Sequence, residues 1–137
     1  MKEKCQKLSR KEAKVIADAS FNEFSKELFK TFQKAGCPDL KAISLSYDVS
    51  QYLAKKVARH DYCFNRESFL SRAKEVQQCY LKGLEEKFAK RQNPTYEDIL
   101  YNANDALVEL LQDEFEISFS INKRAILPGC FEFGKRR

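Results

Sequence analysis

The residues of this chain that could carry out nucleophilic chemistry are one histidine and five cysteines. His60 lies three residues before Cys63. A thiol beside an imidazole is the arrangement of a cysteine-dependent enzyme, in which the histidine accepts the thiol proton. The pair stands where a helix is expected to end, however, and one histidine among scattered cysteines yields a close pair by chance. We keep this site as an unfavoured alternative and predict that the chain is not an enzyme.

The sequence has too few suitable residues for a metal site or a phosphate-binding site. A helical di-iron centre needs Glu-x-x-His pairs, but Val57 stands three residues before the histidine. A zinc site built on His60, Cys63 and remote cysteines would lack paired local ligands. The 4 glycines are isolated, so no glycine-rich phosphate loop is present. The sequence predicts no cofactor, no metal and no small-molecule substrate.

Cations and aromatic residues alternate around one expected loop. They are Lys55, Lys56, Arg59, Tyr62, Phe64 and Arg66. Such a set can hold phosphates and stack bases, which makes nucleic-acid binding, with help from the basic termini, one hypothesis. In the competing interpretation, Tyr62 and Phe64 close the end of a helical bundle while the charged residues are solvated.

The segment from Thr95 to Glu116 carries acidic residues but no lysine or arginine. On a helix, five carboxylates share one narrow stripe, here called the acidic stripe: Asp98, Asp105, Glu109, Asp113 and Glu116. Like charges four residues apart cost roughly 0.2–0.5 kcal/mol per pair, and carboxylates near a helix C-terminus oppose the helix dipole. We therefore expect basic groups outside this helix to compensate, from a partner or from the chain's own basic ends.

These features favour a small protein-binding module: an adaptor, a chaperone-like subunit or an inhibitor of an enzyme. In this hypothesis the acidic stripe steers a partner with a basic surface, and nearby apolar residues supply the affinity. A homodimer is the special case, in which the basic ends of one copy meet the acidic helix of another.

The net charge of +5 is unevenly distributed along the chain. Residues 1–14 and 123–137 each carry +4, and the residues between them carry −3. Short basic ends of this kind either contact an anionic surface or simply solubilise the protein.

Cysteine usage and hydropathy bear on the compartment. An odd number of cysteines without CxxC spacing fits a reducing environment. The first residues are too charged for a signal peptide, and no stretch reaches the roughly 18 apolar residues of a membrane span. We expect a cytoplasmic protein, although leaderless secretion would leave no mark. The Lys- and Phe-rich, glycine-poor usage is loosely associated with AT-rich genomes and with bacterial effectors.

Four helices are expected to position these residues. Capping residues mark three starts, at Ser9, Asn65 and Thr95, and Gly36, Pro38 and Pro94 mark the ends. The predicted spans are 10–35, 39–60, 66–92 and 96–115, within a single domain covering 1–137. The predicted fold class is mainly α, a four-helix bundle-like domain with a short C-terminal β-hairpin or an extended aromatic tail.

The expected second helix is apolar on two faces. Leu40, Ile43, Tyr47, Ala54 and Val57 occupy one face, and Leu45, Val49, Tyr52 and Leu53 occupy the other. A helix that is apolar all round is normally buried, which favours a central position in the bundle. The alternative is that the second face serves a partner or a second copy.

After Glu114 the spacing of apolar residues changes to two. This alternation predicts strands at 115–121 and 130–133, joined through a turn at Pro128-Gly129. The competing interpretation extends the fourth helix to about Phe119 and leaves an irregular tail packed by its aromatic residues.

Overall fold

The computed structural model describes residues 8–60, 65–90, 92–119 and 124–130. Four helices account for most of them: α1 (Arg10–Lys34), α2 (Asp39–His60), α3 (Arg66–Ala89) and α4 (Tyr96–Phe115). This confirms the mainly α, bundle-like class, with α1 and α3 ending slightly earlier than predicted. Within these ranges no helix is both long and apolar enough to cross a membrane.

The predicted caps begin three of the helices. The Ser9 hydroxyl accepts the Glu12 N–H at 3.1 Å, and the Glu12 carboxylate accepts the Ser9 N–H at 2.9 Å. Thr95 and Asp98 form the same reciprocal pair at 3.1 and 3.0 Å. The Asn65 side chain accepts the Ser68 N–H at 2.9 Å. These bonds satisfy backbone donors that a helix start leaves open, which is why the boundaries could be read from the sequence.

Contacts between helix ends show that consecutive helices run in opposite directions. The starts of α2 and α4 meet at one end of the bundle, where the Lys41 ammonium lies 4.2 Å from the centroid of the Tyr96 ring. Their last turns meet at the other end, where the rings of His60 and Phe115 are 5.4 Å apart. α2 and α4 are therefore parallel. Gln33 contacts Asp39 and Lys14 shares a cavity with Ala58, so α1 is antiparallel to α2. Arg72 near the start of α3 pairs with Glu114 near the end of α4, and the architecture is an up-down-up-down bundle.

The large side chains of the core are mainly leucine and phenylalanine. The inward face of α1 is buried along its length, and it carries apolar residues at three- and four-residue steps: Ala13, Ala17, Phe21, Phe24, Leu28 and Phe32. Phe21 and Phe24 contact edge to face at 6.0 Å, and Phe32 meets Phe88 of α3 at 6.0 Å. Burial of each large apolar side chain contributes about 1.5–3 kcal/mol.

The prediction that α2 is buried on both faces is wrong. Leu40, Ile43 and Tyr47 are 84%, 54% and 56% exposed, whereas Ala54 and Val57 are buried. α2 packs mainly against α1 through the opposite face, which carries Leu45, Val49 and Leu53. The start of α2 therefore has a free apolar side, because no described helix covers it.

The chain leaves α4 through a left-handed residue instead of a strand. Glu116 has φ 54°, and its N–H donates to the Leu111 carbonyl, as does that of Ile117 at 3.2 Å. Residues 116–119 form no strand, so the strand predicted at 115–121 is wrong over its described part. Ile117 and Phe119 alternate because they pack, half-buried, against the core. Residues 120–123 and the second predicted strand beyond Cys130 lie outside the described residues.

Asn104 attaches the following segment, residues 124–130, to α4. Its side-chain amide donates to the Arg124 carbonyl at 2.7 Å, and its carbonyl accepts the N–H groups of Ile126 and Leu127 at 2.7 and 3.0 Å. The turn predicted at Pro128-Gly129 is present, and the Cys130 N–H closes it by donating to the Leu127 carbonyl at 3.2 Å.

Candidate protein-binding surface

Leu40, Ile43 and Tyr47 form a continuous apolar surface on α2, here called the apolar patch. Positions i, i+3 and i+7 of a helix share one face, so the three side chains stand in a row. In the described ranges, the large apolar residues that are strongly exposed are these three and Val15 of α1. Single exposed apolar residues are ordinary, but an adjacent set marks an interaction surface.

Core packing does not account for the apolar patch. The inward residues around it, Ala42, Leu45 and Ser46, are already buried against the bundle. The Ser46 hydroxyl donates to the Ala42 carbonyl at 2.6 Å, so this polar side chain is also satisfied. Polar residues at the three patch positions would therefore leave the fold intact.

The patch borders a groove between α1 and α2. Near the start of α2, the Gln33 amide donates to the Asp39 carboxylate at 3.1 Å. Near its end, Lys14 and Ala58 line the same cavity. The antiparallel register between these two points places Phe29, which is half-buried, level with Ile43. Phe29 lies beside the fully buried face of α1, and it extends the apolar end of the groove.

A basic cleft forms the other end of this groove. It has a volume of about 480 Å³ and is lined by Arg10, Lys14, Lys55, Ala58 and Arg59. Lys14 forms an ion pair with Asp18 at 3.4 Å, but both side chains are exposed and such pairs are weak. The cleft therefore presents several cations above a small apolar floor.

The residues proposed for nucleic-acid binding are only partly brought together. Lys55 and Arg59 share the basic cleft. The Lys56 ammonium lies instead 5.4 Å from the centroid of the Tyr52 ring. Burial and the nearby charge of Arg59 lower the pKa of Lys56. Arg66 lies closer to the start of α1, where hydrogen bonds from Ser9, reinforced by the Arg66 charge, lower the pKa of Glu12. Tyr62 and Phe64 lie outside the described residues.

Basic residues of α3 pair with two carboxylates of α4, Glu114 and the stripe residue Glu109. The Arg72 guanidinium contacts the Glu114 carboxylate at 2.8 Å and donates to its backbone carbonyl at 2.9 Å. Lys87 pairs with Glu109 at 2.8 Å. Part of the cost of the acidic helix is thus offset within the chain, by a neighbouring helix.

The other stripe carboxylates occupy different environments. Asp98 serves the α4 capping box. Burial raises the pKa of Asp105 even though Lys87 and Arg124 oppose the shift. Asp113 and Glu116 are exposed. The stripe therefore offers a smaller one-signed surface than the sequence implied, and its role in steering a partner stays a prediction.

The described side chains give little support for a nucleophilic site or a metal site. The His60 ring packs near Phe115, and Cys63 lies outside the described residues. Burial raises the pKa of Cys37 and Cys79, and it raises that of Cys130 to about 12. Because the thiolate is the nucleophile, these thiols are poorly reactive near neutral pH. In the described part of the chain, no three His, Cys, Asp or Glu side chains are grouped to hold a metal.

A larger cavity of about 670 Å³ opens at the opposite end of the bundle. It is lined by Thr31, Lys34, Ala35, Gly36, Glu85, Phe88, Ala89, Asn93 and Pro94. These residues include no cysteine, histidine or glycine-rich loop, so the cavity points to no particular reaction.

Sequence reasoning did not place Lys14 in the site. The basic residues of 1–14 were expected either to contact an anionic surface or to solubilise the protein. Their meeting with Lys55 and Arg59 depends on the antiparallel register of α1 and α2. Comparison of the chain with protein-family models, curated proteins and solved structures finds no match.

Proposed function

We propose that this protein is a protein-binding module that docks a helix of a partner protein on the apolar patch of α2. The observation that carries the proposal is the adjacent exposure of Leu40, Ile43 and Tyr47 on a helix whose other face is fully used by the core.

The shape of the site favours a helix as the docked element. Leu40 and Tyr47 are two turns apart, a distance of about 10 Å along the axis. A partner helix with apolar residues at i, i+3 or i+4, and i+7 presents anchors at the same spacing. Its axis would follow the groove between α1 and α2.

The expected contribution of the patch is that of a small hot spot. Truncating a well-buried interface residue commonly costs more than about 1 kcal/mol of binding free energy, and tyrosine is enriched at such positions. Tyr47 combines a large apolar ring with a hydroxyl that can find a partner at the rim.

A second copy of the chain fits the groove less well than a different protein. The large apolar residues of α4 are buried, so an acidic helix from another copy would bring charge and leave the patch open. Parallel pairing of two α2 helices would bring two basic clefts together. Antiparallel pairing would confine the contact to three patch residues a side, far fewer than the roughly 20 residues a side of a standard interface.

The proposal is tested by capture from a native, nuclease-treated lysate at physiological salt. Three forms are compared: wild type, the triple variant L40S/I43S/Y47S, and V15S as a matched control that removes an exposed apolar residue elsewhere. We expect a partner that wild type and V15S retain equally and that the triple variant loses by at least tenfold. Capture of the same proteins by all three forms would refute the proposal. Capture of no protein above the level of the support without bait would also refute it.

A further inference from the structure

We infer that the partner helix carries carboxylates at one end and that this acidic end lies over the basic cleft. The inference rests on the proposed function, because it extends the contact from the apolar patch along the same groove. It fixes both the charge of the partner segment and its direction on α2.

The two parts of the surface are in line. Lys55 follows Tyr47 by eight residues, which is about 12 Å along the helix axis. Both lie on the outer half of α2. On that side, the residues between them are the uncharged Gln51 and the half-buried Asp48, whose pKa is raised by burial. A helix anchored on the patch and continued for two to three turns therefore reaches the cleft.

The charges of the cleft select an anionic end. Lys14, Lys55 and Arg59 are all exposed and converge from two helices on one cavity. The described residues that line the cavity include no carboxylate. Of the acidic groups near it, Asp18 forms a weak pair with Lys14, Glu12 belongs to the α1 capping box, and Asp48 lies about two turns before Lys55. An added carboxylate would relieve the repulsion among these cations, and the guanidinium of Arg59 can bind it through two donors.

The whole groove fits an acidic amphipathic helix better than a nucleic acid. A polyanion would use the cleft and leave the apolar patch exposed to water. An amphipathic helix with apolar residues toward one end and Asp or Glu toward the other covers both parts. From Leu40 to Arg59 the groove follows about 28 Å of α2, which corresponds to a segment of roughly 20 residues.

A display library of helical peptides tests this inference. Each 24-residue peptide carries leucines at i, i+3 and i+7, and its outward positions are varied among Glu, Gln, Lys and Ser. The library is selected on wild type, on L40S/I43S/Y47S, on K55Q/R59Q, and on K74Q/K82Q, which removes two exposed lysines of α3 instead. We expect enrichment on wild type and K74Q/K82Q, with Glu concentrated at one end, about eight to twelve residues from the nearest leucine.

The best peptide and its Glu-to-Gln counterpart are then compared by fluorescence anisotropy. Loss of the carboxylates should weaken binding to wild type by at least tenfold and to K55Q/R59Q by less than twofold. Circular dichroism of each variant verifies that it is folded.

The outcomes separate the two proposals. Equal enrichment on wild type and L40S/I43S/Y47S, or none on either, would refute the proposed function and this inference together. Enrichment that needs the patch but shows no preference for Glu, or that survives K55Q/R59Q unchanged, would refute the inference alone. A labelled 20-nucleotide single strand that binds the cleft more tightly than every peptide would also refute it, in favour of nucleic acid.

Discussion

Asn104 shows how much one buried polar side chain can decide. It is almost fully buried, and both the nitrogen and the oxygen of its side-chain amide bind the backbone of residues 124–127 and hold it on α4. Its partners lie twenty or more residues away in the sequence, and the local pattern around it is simply that of an apolar helix face. The spacing of Leu100, Leu107 and Leu111 places Asn104 on the buried face, but it does not indicate which backbone groups the side chain binds, so its role could not be predicted from the sequence.

Replacing Asn104 by alanine should therefore be costly. The backbone N–H groups of Ile126 and Leu127 would lose their acceptor, and an unpaired buried donor costs about 1–3 kcal/mol. We expect N104A to lower the free energy of unfolding by about 2–4 kcal/mol, measured by urea denaturation. N102A is the matched control, because the buried amide nitrogen of Asn102 has no partner among the described residues. Equal losses in both variants would contradict this account.

Tyr80 links stability to alkaline pH. Its hydroxyl is buried and donates to the Ala103 carbonyl at 2.9 Å, and burial raises its pKa well above the usual value of 10.0. The folded state thus favours the neutral phenol. The contribution of this hydroxyl is fully present below pH 10 and is lost as pH rises through the higher folded-state pKa.

The variant Tyr80→Phe measures this effect directly. We expect it to cost about 1 kcal/mol at pH 7, the net value of a typical buried hydrogen bond. Above pH 10 the difference from wild type should shrink and then reverse, because phenylalanine has no proton to lose. A stability difference that stays constant from pH 7 to 11 would show that the hydroxyl is not responsible.

At the scale of elements, the ends of the helices were easier to predict than their faces. Ser9, Asn65 and Thr95 mark helix starts because capping is a local interaction between neighbours in sequence. The alternation after Glu114 was misleading because a left-handed residue redirects the chain while Ile117 and Phe119 still pack on the core. Alternation reports one-sided burial, which an extended tail can show without forming a sheet.

The left-handed conformation of Glu116 offers a stabilising substitution. A side chain at φ 54° is strained, and its carboxylate opposes the helix dipole. We expect Glu116→Gly to raise the free energy of unfolding by about 0.5–1 kcal/mol. This gain is smaller than the strain energy that is removed, because glycine also increases the conformational entropy of the unfolded chain. Glu116→Gln isolates the charge and should give only part of the gain. A loss of stability in E116G would contradict the assigned helix end.

The two ion pairs between α3 and α4 should differ in strength. The Arg72 side chain is 16% exposed and bonds to both the carboxylate and the backbone of Glu114, whereas Lys87 makes one ion pair with the more exposed Glu109. We expect Arg72→Met to cost about 1.5–3 kcal/mol and Lys87→Met less than about 1 kcal/mol. Thermal and urea unfolding of the two variants provide the comparison, and equal costs would argue against it.

At the scale of the whole molecule, the fold class was readable from periodicity and caps, but the binding surface was not. An apolar face of α2 was visible in the sequence, yet whether another helix covers it depends on the packing of all four helices. The same is true of the basic cleft, which joins residues more than forty positions apart. The acidic stripe is visible in the sequence because its charges share one helix face, while the pairing of Glu109 with Lys87 of α3 is a tertiary feature.

The central claim is that α2, rather than the acidic stripe of α4, receives the partner. The most direct measurement is chemical-shift mapping by NMR of the labelled protein titrated with the partner's binding segment or the best selected peptide. The account predicts the largest changes at Leu40, Ile43 and Tyr47, continuing to Lys55 and Arg59. Changes centred instead on Asp105, Asp113 and Glu116, with α2 unaffected, would contradict it.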